Sequence, residues 1–148
     1  MAIASLHEAI LSSIVRRNQL TQEIAEFQSQ KMLLAYSQGD IQGLMLSEET
    51  EIRNEYKELF DCNPDEYENY TDYTEIPDFE EAIERITAKY NSQLEDLSVW
   101  ETMIDNQITT CSAEQKELEA YTDSYKKMLS DGISNDFNYA GGGGKKSV

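Results

Sequence analysis

The stretch DFEEAIERITAKYNSQLEDLSVWETMIDNQITTCSAEQKELEAYTDSYKKMLSD, residues 78–131, decides the fold. Its apolar residues recur at alternating spacings of three and four: Phe79, Ile83, Ile86, Tyr90, Leu94, Leu97, Trp100, Ile104, Ile108, Cys111, Leu118, Tyr125 and Leu129. Only Gln115 and the pair Tyr121 and Thr122 loosen the stripe. A helix turns once every 3.6 residues, so this spacing lays one narrow apolar strip along one side, the pattern of a coiled-coil helix. Asp78 after Pro77 supplies an N-cap, and Glu80 and Glu81 place acids in the first turn. Lys126, Lys127 and Gly132 give the matching signals at the far end. A helix over 78–131 spans roughly 80 Å at 1.5 Å per residue.

The first half repeats the pattern. Ile3, Leu6, Ile10, Ile14, Leu20, Ile24, Phe27 and Leu34 form one stripe, which resumes after Gly39 and Asp40 through Ile41, Leu44, Met45, Ile52, Tyr56, Leu59 and Phe60. The reading is a helix over 2–38, a kink or break at 39–43, a helix over 44–60 and an acidic turn over 61–77 around Asn63-Pro64-Asp65. Two apolar strips of similar length either side of a proline-flanked turn are buried most simply against each other. The expected fold is therefore all-α, a long antiparallel helical hairpin forming a single domain over 1–140, with a Gly-rich, basic tail at 141–148. Its intramolecular seam is expected to include Ile83, Ile86, Leu97, Trp100, Ile104, Ile108, Cys111 and Leu118.

Charge bounds the partners. The 148 residues hold 29 acids and 12 bases, a formal net charge of −17. Residues 48–84 alone hold 15 acids and 2 bases, while residues 1–47 hold 4 acids and 3 bases. So strong a negative field repels phosphate backbones and anionic lipid, and nucleic acid is not an expected partner. No stretch reaches the roughly 20 apolar residues of a membrane span; Met32 to Leu46 comes nearest and is interrupted by Gly39, Asp40 and Gly43. The N-terminus lacks a basic segment ahead of its apolar residues, so a cytoplasmic location, or export without a cleavable signal, is expected.

No catalytic or cofactor signature stands out, and an enzyme is not expected. His7 is the only histidine, and no nucleophile, base or metal-ligand set can be assembled around it. Asp61, Asn63, Asp65 and Asp72 fall at calcium-loop positions 1, 3, 5 and 12, but Glu66 occupies the position that needs Gly and Asp72 replaces the bidentate Glu. A metal is not expected there. Cys62 beside the turn and Cys111 in mid-helix lie too far apart along a hairpin to bridge.

The N-terminal segment carries more apolar surface than one partner helix covers. Ile3, Leu6, Ile10 and Ile14 take one face, and Ala4, Leu11 and Val15 take the next. Either the chain's own C-terminal segment, residues 133–139, folds over this surface as a small bundle, or Ile3, Leu6, Ile10, Leu11, Ile14 and Val15 form a self-association surface that packs against other copies of the chain, the reading expected here. The Asn63-Pro64-Asp65 turn, the apolar N-terminus and the two-helix layout resemble the subunits of secretion-system needles and, more loosely, the terminal coiled coil of flagellins. That resemblance implies a filament with paired termini in its core and the turn facing outward. The chain departs from it in length, in lacking the second turn proline at Glu66, and in its glycine-rich ending. The function expected is a structural, self-associating subunit. The alternative is a coiled-coil adaptor or chaperone that binds a helical segment of another protein.

Overall fold

A computed structural model describes residues 2–141, with side chains placed through residue 137. Two helices account for nearly all of them: α1, Ile3–Cys62, and α2, Pro77–Gly141, joined by a turn that contains a short 3-10 segment, Tyr73–Glu75. Among the described residues there is no strand. The helices pair as an antiparallel hairpin, and side-chain bonds give the register. Arg16 meets Glu114 and Glu23 meets Cys111; separately, Gln38 meets Glu101 and Glu48 meets Tyr90. In each series the partner number falls as the first rises, which only antiparallel neighbours do.

Three expectations change. The glycine-rich interval 39–43 does not break α1, which stays hydrogen-bonded through both glycines, so the pieces 2–38 and 44–60 are one helix; a kink is compatible with that continuity. Each helical Gly costs about 1 kcal/mol against Ala, but Gln38, Ile41 and Met45 on either side are all held half-buried. Helix α2 starts at Pro77, one residue early, with Ile76 as the extended residue before it, so Asp78 lies in the first turn and is not the cap. It also continues past residue 131 to Gly141, so the tail expected at 141–148 falls outside the described residues except for Gly141 itself. Gly132 does not stop the helix because it sits on the seam, where a Cβ would lie 3.7 Å from Ile3 Cγ1.

The single domain expected over 1–140 divides into two compact units, residues 1–29 with 105–148, and residues 30–104. In the first, Leu6, Ile10, Leu20 and Cys111 form the apolar core, and Ser13 and Thr122 are buried with them. Thr122 is wholly buried, and its hydroxyl donates to Leu118 O at 2.7 Å, so no polar atom is left unpaired. In the second, Ile76, Phe79, Tyr90 and Ile104 are the buried apolar residues. Phe79 stands edge-on to both Tyr56 (5.5 Å) and Tyr73 (5.4 Å), and Arg53 lies over its ring at 5.6 Å.

Among the buried and half-buried positions of α1, one series runs 3, 6, 10, 13, 17, 20, 24, 27, 31, 34, 38, 41, 45, 48 and 52, alternating three and four up to Ile52, with further half-buried positions flanking it. Those of α2 alternate likewise except at Ile86, Tyr90 and Leu94, where two fours follow one another. Such a stutter unwinds the supercoil locally. Trp100 is a correction: it is 63% exposed, and Glu101 takes the seam position, accepting a bond from Gln38 Nε2 at 3.2 Å. The other seam residues expected, Ile83, Ile86, Leu97, Ile104, Ile108, Cys111 and Leu118, are all buried or half-buried.

Candidate interaction surfaces

In the unit of residues 1–29 and 105–148, the six residues expected for self-association separate into two groups. Leu6 and Ile10 are 2% and 7% exposed and belong to the hairpin's own seam, so they offer nothing to a second molecule; Ile3 and Ile14 are half-buried beside them. Leu11 and Val15 are 50% and 56% exposed. The division follows from geometry: residues four apart share a face, and Leu11 and Val15 stand one residue beyond Ile10, on the seam, and Ile14, half-buried at its edge. The stripe continues at the same spacing through Asn18, Gln22, Ala25 and Ser29, all exposed and none charged.

The flank of the same unit is polar. Arg16 binds Glu114 through Nε at 2.9 Å and Nη2 at 3.2 Å, a bidentate pair, and reaches Glu23 at 3.7 Å. The Arg16 bond holds the Glu114 carboxyl below the ordinary carboxylate range, against the opposing effect of burial. Burial pushes the Cys111 thiol up, and the Glu23 charge, 3.7 Å from its sulfur, pushes in the same direction. Cys111 is therefore a protonated core residue and no nucleophile. A hollow of about 380 Å³ beside it is lined by Ile14, Arg17, Asn18, Thr21, Gln115 and Glu119. Gln115 Nε2 donates to Thr21 Oγ1 at 2.7 Å and to Arg17 O at 3.3 Å, so its amide already bridges the two helices there.

In the unit of residues 30–104, the turn is ordered by its own side chains. Asp72 accepts from Tyr73 N at 2.7 Å and from Thr74 Oγ1 at 3.2 Å, capping the 3-10 segment, and Glu75 accepts from Thr71 N at 2.9 Å. Asn63 donates its side-chain amide to Leu59 O at 3.0 Å. The residues aligned with a calcium loop thus have local duties: Asp72 and Asn63 are engaged with the backbone, while Asp61 and Asp65 are exposed. Among the described residues, no group of three or more His, Cys, Asp or Glu side chains converges on a common point. Tyr67 stacks on Phe60 at 6.2 Å and neighbours Tyr70 at 6.1 Å, so the tyrosines order the loop against the helix that precedes it.

Farther from the turn, this unit exposes large apolar side chains. Met32, Leu33, Tyr36, Leu44, Leu46, Val99, Trp100 and Met103 are all more than half exposed. Leu33 and Trp100, one from each helix, stand over Leu34 and Ile104 and frame a shallow groove of about 310 Å³ with Gln30 and Ser37. Reading the sequence as a single seam misses this surface because it assigns Trp100 to the interior. The signal that finds it is the shift at Tyr90 and Leu94, after which Leu94 and Leu97 on one side and Ile104 and Ile108 on the other place Glu101, not Trp100, in the three-four stripe. His7 is exposed in the other unit. No described helix is long and apolar enough to cross a membrane. No protein-family model matches this chain, and no curated protein or solved structure matches it significantly.

Proposed function

We propose that this protein is a structural, non-catalytic subunit that self-associates through the outward face of α1, with its acidic turn left to solvent. One observation carries the reading. In a chain of net charge −17, α1 presents Leu11 and Val15 at 50% and 56% exposure, on a stripe that stays uncharged through Ser29. Two aliphatic side chains on one exposed face lose contact with water when a second molecule covers them, at about 25 cal/mol per Å² of apolar surface. The stripe itself carries no charge, and Glu8 and Glu26 are the exposed acids at its flank. The turn is the opposite case. Its 15 acids against 2 bases over residues 48–84 favour hydration and spacing between neighbours. A filament or secretion-type assembly, as the needle-like layout implies, is the form of association we propose.

Sedimentation velocity over a range of concentrations, with negative-stain microscopy of the same samples, tests this. The protein is expected to assemble by itself. Leu11→Asp or Val15→Asp is expected to leave helicity unchanged and abolish assembly, since a buried, unpaired charge costs several kcal/mol. A monomer at every concentration overturns the reading. An adaptor that binds another protein's helix is a second reading, favoured by the exposed Trp100 flank.

A further inference from the structure

We infer that the flank around Trp100 is a docking groove for a basic amphipathic helix of another protein. The inference rests on the adaptor reading and does not depend on self-association. The groove runs between two antiparallel helices, with Leu34 and Ile104 as its floor and Leu33 and Trp100 as its walls. Gln30 and Ser37 complete its lining, and Leu33 and Trp100 are both more than half exposed at its edges. A hollow between two helices, edged by one large apolar side chain from each and floored by Leu34 and Ile104, fits the apolar face of a third helix.

Charge selects the occupant. Asp40 follows Leu33 by seven residues, about two turns, and Asp96 precedes Trp100 by four, so each exposed carboxylate shares a helix face with an apolar wall residue. Residues 30–104 hold 19 acids and 5 bases in all. A second copy of the chain would bring the same sign of charge to the rim, where juxtaposed like charges oppose association. A helix with Lys or Arg flanking its apolar face gains from the same rim, through faster encounter and fixed orientation.

Trp100 is the chain's only tryptophan, and its 63% exposure makes its emission a direct report on the groove. The probe is a tryptophan-free synthetic helix with Leu at i, i+3, i+4 and i+7 and Lys on the other face, and its control carries Glu in place of every Lys. Added to the intact protein, the Lys peptide is expected to shift Trp100 emission to the blue with saturation, less strongly in about 0.5 M salt, where charges are screened beyond a few ångströms. The Glu peptide is expected to leave it unchanged. By anisotropy of the labelled Lys peptide, Trp100→Ala should weaken binding about ten-fold or more, with helicity intact, while Leu11→Asp binds as the unaltered chain does.

Equal binding of both peptides, or full binding by Trp100→Ala, overturns the inference. So does a blue shift that grows with protein concentration alone, because the flank is then covered by a second copy. Absence of any shift overturns it as well. None of these results bears on assembly through Leu11 and Val15, which sedimentation reads separately.

Discussion

The two helices share a seam but differ in the side they turn away from it. In the unit of residues 1–29 and 105–148, the outward positions of α1 are Leu11, Val15, Asn18, Gln22, Ala25 and Ser29, while those of α2 at the same spacing are Lys116, Ala120, Asp123, Lys127 and Ser130. All are exposed, and only the α2 set carries charge. In the unit of residues 30–104, α1 turns out Met32, Tyr36, Gly39, Gly43 and Leu46, again without charge. A helix with charges on its back is complete with one neighbour, because water satisfies the remainder. A helix without them has a second face to bury. Total hydrophobicity does not reveal this; the distribution around each helix does.

The largest expected effect breaks the comparison if it fails. Leu20 is fully buried in the seam and Leu11 is half exposed, so truncating each should separate the two faces of α1 energetically. Leu20→Ala should cost about 2–5 kcal/mol, whereas Leu11→Ala should stay within about 0.5 kcal/mol, both by urea unfolding in dilute solution. Similar losses would place Leu11 in the hairpin's own core. The outward face would then be no surface at all.

The same contrast explains what the sequence made legible. The hairpin was readable because apolar residues keep the three-four rhythm for most of both helices. The polar seam positions were not. Ser13, Arg17, Lys31, Gln38 and Glu48 continue the rhythm of α1, and Glu101, Gln115 and Thr122 that of α2, but a polar residue announces itself as buried only through its partner across the seam. Glu101 has Gln38 and Gln115 has Thr21, pairs 63 and 94 residues apart in sequence. Without them an aromatic such as Trp100 looks like the better seam residue, though it lies about 100° away around the helix from Glu101. At the N-terminus, Leu11 and Val15 were legible as excess apolar surface, while the share of Leu6 and Ile10 already taken by α2 was not. The glycines misled for a related reason: local propensity argues for a break at 39–43, and the continuous seam on either side overrides it.

Those glycines give the next expected effect. A Cβ at Gly39 or Gly43 would meet nothing within 4 Å, and both lie on the exposed side of α1. Gly39→Ala and Gly43→Ala should each raise stability by about 0.5–1 kcal/mol, the ordinary gain in a helix interior. Gly132→Ala should do the same, since its Cβ would make an ordinary contact with Ile3 at 3.7 Å. Thermal unfolding in dilute solution measures all three. Destabilisation by either of the first two would show that the face is packed within the chain.

The cysteines sharpen the inside-outside contrast without altering stability. Cys62 is exposed at the end of α1, and Cys111 is 6% exposed with its thiol pushed up by burial and by Glu23. A chromogenic disulfide reagent at mildly alkaline pH should modify one thiol per chain quickly and the second only as the hairpin opens. Two fast thiols would contradict the seam assigned to Cys111.

The smallest expected effects are those of pH, and Glu114 and Tyr90 act with opposite signs. Glu114 is held below its ordinary value by the bonds from Arg16, so folding gains from its ionised form. That gain is present above the unfolded carboxylate value of about 4.3 and is lost as pH falls through the lower folded value. Both side chains remain about two-fifths exposed, at 40% and 41%, so solvent screening keeps the contribution slight. Tyr90 runs the other way. Its hydroxyl donates to Glu48 at 2.6 Å, and that bond, followed by burial and the Glu48 charge, raises the phenol above its ordinary value. The gain is therefore full below the unfolded value near 10 and is lost as pH rises through the raised folded value. Melting temperature against pH should fall at both extremes, with Glu114→Gln flattening only the acid limb and Tyr90→Phe only the alkaline one. An alkaline limb unchanged in Tyr90→Phe would assign it instead to the other groups held above their ordinary values, Tyr56 and Cys111 chiefly by burial and Tyr121 by its bond to Glu117, and would leave the Tyr90–Glu48 bond with no measurable part in holding α1 to α2.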